Sequence, residues 1–150
     1  MFNENTKLEK LLGLGRRIIP KSLFSLAQPI YHWLLAVSGA IIYGFPSRSM
    51  KVIGVTGPHG KSTTVYMITR ALQICGQKVA AIGSLEMRIN DHSWPNSTKM
   101  TMLGRFKLQK FLAEAKKAGC KYVVLEVTSE GIKQMRHIGV KFDSSVFTNL

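Results

Sequence analysis

Acidic residues are scarce in this chain. Eight Asp and Glu stand against 21 Lys and Arg, a formal net charge of +13 over 150 residues. A surface so short of carboxylates suits phosphate-rich partners: ATP, a UDP-sugar, nucleic acid or anionic lipid headgroups. The basic residues are spread along the chain and not stacked in one run. A generally basic surface therefore accounts for them equally well. No aromatic-interleaved basic motif occurs, so no nucleic-acid partner is expected.

Cysteine is nearly absent too. Cys75 and Cys120 are alone and lack C-x-x-C spacing, which argues against a disulfide framework or a zinc site and fits a reducing cytosol. His32, His59, His92 and His137 are scattered, so no histidine cluster marks a metal centre. There is no internal repeat and no low-complexity tract. The length and a hydrophobic fraction of 45% suit one globular domain.

Charge disappears entirely between Leu23 and Phe45. That run is long enough to span a bilayer, but Pro29 interrupts it and Gln28, His32 and Ser38 are polar. The flank before it carries Lys7, Lys10, Arg16, Arg17 and Lys21. A spanning helix with that basic flank inside would export everything after it, away from the ATP-containing cytosol. Residues 1–46 are therefore read as a basic and apolar N-terminal helical segment, lying on an anionic membrane surface or packed on the protein. Gly44-Phe45-Pro46-Ser47 reads as the linker into a domain over residues 47–150.

From Lys51 onward strand and helix signals alternate. Strands are expected at Val52–Thr56, Val79–Ile82, Tyr122–Val127 and Ser145–Thr148. Helices are expected at Ser62–Ile74, Arg105–Ala118 and Gly131–His137, with Gly76 and Gly119 closing the first two. Leu85–Trp94 alternates around Asn90-Asp91, a hairpin signal. The pattern predicts an α/β fold, a parallel sheet with helices on both faces, preceded by the apolar helix.

One junction carries chemistry. Val52-Ile-Gly-Val-Thr-Gly-Pro-His-Gly-Lys-Ser-Thr-Thr64 is a strand, a glycine-bracketed turn, then a lysine and hydroxyls opening a helix. Gly57 and Gly60 let backbone N–H groups approach oxygen anions, and the helix directs its positive end at them. In such a loop Lys61 reaches the β- and γ-phosphates and the Ser62 hydroxyl holds Mg²⁺. The common spacing G-x-x-x-x-G-K-[ST] asks for glycine at position 55, where Val55 stands. A generic kinase or GTPase loop is not matched.

The loop resembles that of the Mur ligase family, T-G-T-x-G-K-[ST]-[ST], through Thr56, Gly57, Gly60, Lys61, Ser62 and Thr63. Pro58 stands where the family usually has Thr and has no N–H to give a phosphate. Glu126, Val127, Thr128 and Ser129 resemble the family's E-V-[ST]-S-H, with Glu130 in place of His. Glu126 falls at the end of a strand that should be central, where α/β sheets place ligand-binding groups. Ser129 followed seven residues later by Arg136 is similar to the branch that extends UDP-MurNAc peptides. Asn96–Met102 stands where that branch has its N-[ST]-T-T-P loop. Thr101 matches one threonine, while Met102 and Leu103 replace Thr and Pro. Phe142–Leu150 is similar to the F-D-x-x-x-[FL]-T-N-L strand that follows.

The resemblance covers roughly residues 50–150 and implies ATP-dependent ligation. ATP would lie on Thr56, Gly57, Pro58, His59, Gly60, Lys61, Ser62 and Thr63, with Lys61 catalytic. Mg²⁺ would lie on Ser62 and Glu126. A UDP-MurNAc-peptide would lie on Thr101, Ser129 and Arg136, and an amino acid would be added to it. It also implies that this chain is the front part of a ligase and inactive alone. The family's second metal-binding histidine, carbamylated lysine and C-terminal domain are not among these residues. Rival readings are a non-catalytic, membrane-tethered nucleotide-binding piece and a folylpolyglutamate- or polyglutamate-type ligase.

Overall fold

The computed structural model describes residues 21–98 and 100–149, with side chains from Gln28 onward. The basic stretch expected to meet a membrane, from Lys7 to Arg17, lies outside the described residues. The described chain divides between Tyr31 and His32 into two units. In the first, the described backbone is helical from Lys21; the second holds the sheet.

Helix α1 runs Lys21–Ile42 and continues through Pro29, which the sequence marks as an interruption. The ring costs one backbone hydrogen bond, and the helix continues past it. Beyond His32 the helix is two-sided. The small residues Ala36, Gly39 and Ala40 are buried, while Trp33, Leu34, Ile41 and Ile42 stay exposed. Among the described residues no helix is long and apolar enough to cross a membrane. A short 3-10 turn, Pro46–Ser49, leads into the sheet.

The elements that follow are β1 (Lys51–Thr56), α2 (Lys61–Ile74), β2 (Val79–Ile82), β3 (Glu86–Ile89), β4 (His92–Pro95), α3 (Arg105–Lys117), β5 (Tyr122–Glu126), α4 (Ser129–Lys133) and β6 (Ser144–Phe147). The strand order is β4-β3-β2-β5-β1-β6. Strands β2, β5, β1 and β6 are parallel, whereas β3 and β4 join as antiparallel strands. The sheet is thus mixed, its parallel half built as the alternation predicts and its hairpin turning at Asn90, φ +53.

Alternation along each strand divides the core into two layers. On β5, Val123 and Leu125 face α3, where Leu108, Phe111, Leu112 and Ala115 form the larger cluster. Val124 faces the other way and joins Val55, Val79, Ala81 and Val65 of α2. Helices therefore cover both faces, as expected. β5 is flanked by β2 and β1, which makes it an interior strand and buries the carboxylate at its end.

One helix differs from expectation. The segment read as helical over Gly131–His137 is helical over Ser129–Lys133. The Thr128 hydroxyl caps it by accepting from the Gly131 N–H at 3.0 Å, which starts the helix earlier. Met135, at φ +54, ends it by turning left-handed. Arg136 consequently lies beyond the helix, not in its last turn.

Candidate active site

The carboxyl ends of β1, β5 and β2 converge on one rim, the place where open α/β sheets bind ligands. From β1 the chain enters the loop Gly57-Pro58-His59-Gly60. Gly57 takes φ +136 and Gly60 takes φ +78, conformations that only glycine adopts without strain. Gly60 is the N-cap of α2 and makes no side-chain cap, so the leading N–H groups of α2 face the loop. Those donors and the helix dipole suit an anion. Lys61 folds over the same loop, donating from Nζ to the carbonyls of Gly57 at 2.7 Å and Pro58 at 3.1 Å.

Two residues of the β6 end hold the loop from beneath. Thr148 donates its hydroxyl to the His59 carbonyl at 2.6 Å, and its N–H reaches the Thr56 carbonyl at 2.9 Å. The Asn149 amide oxygen accepts from the His59 N–H at 3.3 Å. His59 thus meets the β6 end through its backbone, and its ring is exposed.

Glu126 is 3% exposed, and its carboxylate collects three donors. The Ser62 hydroxyl reaches Oε2 at 2.9 Å, the Ser84 N–H reaches Oε2 at 3.0 Å, and the Ser84 hydroxyl reaches Oε1 at 3.0 Å. All three are neutral. A buried carboxylate compensated only by neutral dipoles attracts a cation strongly. Among the described residues no group of three His, Cys, Asp or Glu gathers to cage a metal. The donor set of one hydroxyl and one carboxylate beside a phosphate loop fits Mg²⁺, which keeps several waters and takes phosphate oxygens for its remaining positions.

The network extends to the Asn96–Met102 loop, where Thr101 Oγ1 lies 3.0 Å from Ser84 Oγ. An ionised Glu126 only accepts, so the single Ser84 hydroxyl proton is committed to Oε1. Thr101 must then donate to Ser84, and it turns only lone pairs toward anything bound beside it. Asn96 braces the loop by donating to the carbonyls of Gly83 and Met100.

Lys61, Ser62, Glu126 and Thr101 are thus drawn to one rim. Thr63, on the first turn of α2, lines a cavity of about 320 Å³ together with Ser62 and Ser84. Ser129 lies across a cavity of about 460 Å³ from Thr56, Gly57, Pro58 and Lys61. Arg136 does not line that cavity. Its guanidinium donates to the Met102 carbonyl at 2.6 Å and to Gln134 Oε1 at 2.7 and 3.1 Å, tying the Thr101 loop to the segment after α4. Sequence reading missed Ser84, Thr148 and Asn149. The signal for Ser84 was a glycine–hydroxyl pair directly after a short buried strand.

Residues 55–150 match the family model for the Mur ligase middle domain. The chain is 36% identical over 118 residues to the UDP-N-acetylmuramyl-tripeptide synthetase of Treponema pallidum (strain Nichols), covering 77% of this chain and 22% of that protein. It is 39% identical over 117 residues to the UDP-N-acetylmuramoyl-L-alanyl-D-glutamate–2,6-diaminopimelate ligase of Corynebacterium efficiens, covering 78% of this chain and 22% of that protein. A solved structure of a UDP-N-acetylmuramoyl-L-alanyl-D-glutamate–2,6-diaminopimelate ligase superposes with TM-score 0.59 at 32% identity, over 67% of this chain and 20% of the other. The chain spans about a fifth of the length of these relatives.

Proposed function

The chain belongs to the Mur ligase family, and we propose from that premise that it forms part of an ATP-dependent ligase. The reaction joins an amino acid to a UDP-MurNAc-peptide during peptidoglycan synthesis. The observation that carries this reading is the 2.9 Å contact between Ser62, at the head of the phosphate loop's helix, and the buried Glu126.

Bound ATP, with Mg²⁺ on its phosphates, would give its γ-phosphoryl group to a substrate carboxylate and leave as ADP; the incoming amine would then attack the acyl carbon of that acyl phosphate and release phosphate. The chain's own groups bind and orient. Thr56, Gly57, Pro58, His59, Gly60, Lys61, Ser62 and Thr63 form the phosphate cradle, with Lys61 Nζ neutralising charge on the transferring group. Ser62 and Glu126 would hold the metal. Thr101, Ser129 and Arg136 hold the peptide substrate, Arg136 through the loop it braces.

Calorimetry with ATP and Mg²⁺ tests the reading. Binding by the wild-type chain and none by Lys61→Ala is the expected result. Equal affinity in the two overturns the assignment of Lys61.

For location, we propose the cytoplasmic side, where ATP is available, with α1 resting on an anionic membrane surface. Support comes from the exposed Trp33, Leu34, Ile41 and Ile42, set opposite a buried face of small residues.

A further inference from the structure

We propose that Ser84 is a positioning residue for the metal-binding carboxylate, and that it links that carboxylate to the substrate loop through Thr101. The proposal rests on the Mg²⁺-nucleotide reading of the site and names a residue outside the phosphate loop and its partner acid.

Ser84 contributes two of the three donors on Glu126. Its N–H holds Oε2 and its hydroxyl holds Oε1. Two donors from one residue, one on each oxygen, fix the carboxylate plane as a single donor cannot. Ser62, the third donor, belongs to the phosphate loop and shares Oε2 with the Ser84 N–H. Ser62 is also the hydroxyl expected to meet the cation. Ser84 then remains the partner that keeps Glu126 oriented toward the metal.

The backbone makes this possible. Ile82 pairs with Leu125, one residue before Glu126, so the chain leaving β2 passes directly beside the carboxylate. Gly83 also accepts the Asn96 side-chain amide, which ties the same turn to the Thr101 loop. The path Ser62–Glu126–Ser84–Thr101 is therefore an unbroken hydrogen-bonded chain from the phosphate loop to the substrate loop. Thr101 meets the acid only through Ser84, so any influence of Thr101 on the metal passes through that hydroxyl.

The test uses Mn²⁺ in place of Mg²⁺, titrated by electron paramagnetic resonance against the whole chain with ATP. Ser84→Ala is expected to lower Mn²⁺ affinity about tenfold, while metal-free ATP affinity stays unchanged. Ser84→Thr retains both donors and is expected to bind Mn²⁺ as the wild type does. Thr101→Val alone is expected to lower Mn²⁺ affinity about threefold and to cost nothing further in the Ser84→Ala background. Should Ser84→Ala fail to fold, the near-isosteric Ser84→Cys, a weak donor, is expected to show the same selective loss.

Wild-type Mn²⁺ affinity in Ser84→Ala overturns the positioning role and leaves the nucleotide reading standing. Equal losses of metal-free and metal-dependent ATP binding reduce Ser84 to a structural residue. Additive losses in the double variant break the link to Thr101. A wild-type chain that binds neither ATP nor Mn²⁺ overturns the underlying reading and this proposal with it.

Discussion

Gly57 and Thr148 approach so closely that a Cβ on Gly57 would stand 2.1 Å from the Thr148 hydroxyl oxygen. The last strand thus reaches the phosphate loop through a gap that only glycine leaves open. The same Thr148 hydroxyl holds the His59 carbonyl, so displacing it disturbs the loop it supports.

Gly57→Ala is therefore expected to destabilise the chain by roughly 1–3 kcal/mol from the forced φ alone, with the Thr148 clash added. ATP affinity should fall with it. Thermal melts and calorimetry check both. Thr148→Ala in the Gly57→Ala background removes the hydroxyl clash but leaves the φ strain and the Thr148 backbone N at 3.1 Å, and it loses the bond to the His59 carbonyl, so at most part of the loss should return. Wild-type stability and ATP affinity in Gly57→Ala would show that the loop is not built around this contact.

Glu126→Gln keeps the size of the side chain and removes its charge. ATP binding measured with Mg²⁺ should weaken while binding in EDTA stays similar, because only the cation contact is lost. The amide can keep its oxygen toward the Ser62 hydroxyl and the Ser84 N–H and turn its N–H₂ to the Ser84 hydroxyl, which then accepts from it and donates to Thr101, so thermal stability should change by about 1 kcal/mol or less. A stability loss with unchanged Mg²⁺ dependence would make Glu126 a structural acid.

Much of this site is legible in the sequence, for a physical reason. Gly57, Gly60, Lys61 and Ser62 lie within six residues, and their chemistry depends on local backbone shape. Glu126 is also readable, because a carboxylate ending an apolar strand is anomalous wherever that strand packs. Ser84 is different. Its meaning comes from β2 lying beside β5, a neighbour relation that strand periodicity does not specify. Thr148 and Asn149 stand in a recognisable motif, yet their hold on His59 depends on β6 pairing with β1. The helix after Glu126 was misplaced because its cap, Thr128, reads equally well as the end of the strand.

Vesicle binding tests the exposed face of α1. Sedimentation with anionic vesicles should carry the chain down, and neutral vesicles or high salt should release most of it. Leu34→Asp with Ile41→Asp, both on the exposed face, should reduce anionic-vesicle binding without lowering the melting temperature. Unchanged vesicle binding in that double variant would remove α1 as the contact.

The two thiols should differ sharply in reactivity. Cys75 is exposed at the end of α2, whereas Cys120 is buried and contacts Asn90 Oδ1 at 3.3 Å. Burial raises the Cys120 pKa, outweighing the Asn90 contact and the nearby Lys78 charge. An alkylating reagent near neutral pH should therefore modify Cys75 first and reach Cys120 only on unfolding. Peptide mapping after brief labelling reads the order, and equal labelling of the native chain would contradict the burial of Cys120.

Stability should decline as pH falls through the histidine range. His137 Nδ1 is buried without a hydrogen-bond partner, and desolvation holds its pKa below 6.5. The pKa of His32 is lowered as well, by burial first and then by the charges of Arg105 and Arg136. Below pH 6.5 the unfolded chain takes up protons that the folded chain resists, so the unfolded state gains. The melting temperature should drop between about pH 7.5 and about pH 5.5, and the drop should be smaller in His137→Gln. Asp143 does not confound this window. Its carboxylate accepts from the Val52 N–H and pairs with Lys51, which holds its pKa below 3.8, so its contribution is lost only at lower pH. An identical pH slope in His137→Gln would show that His137 titrates alike in the folded and unfolded chain.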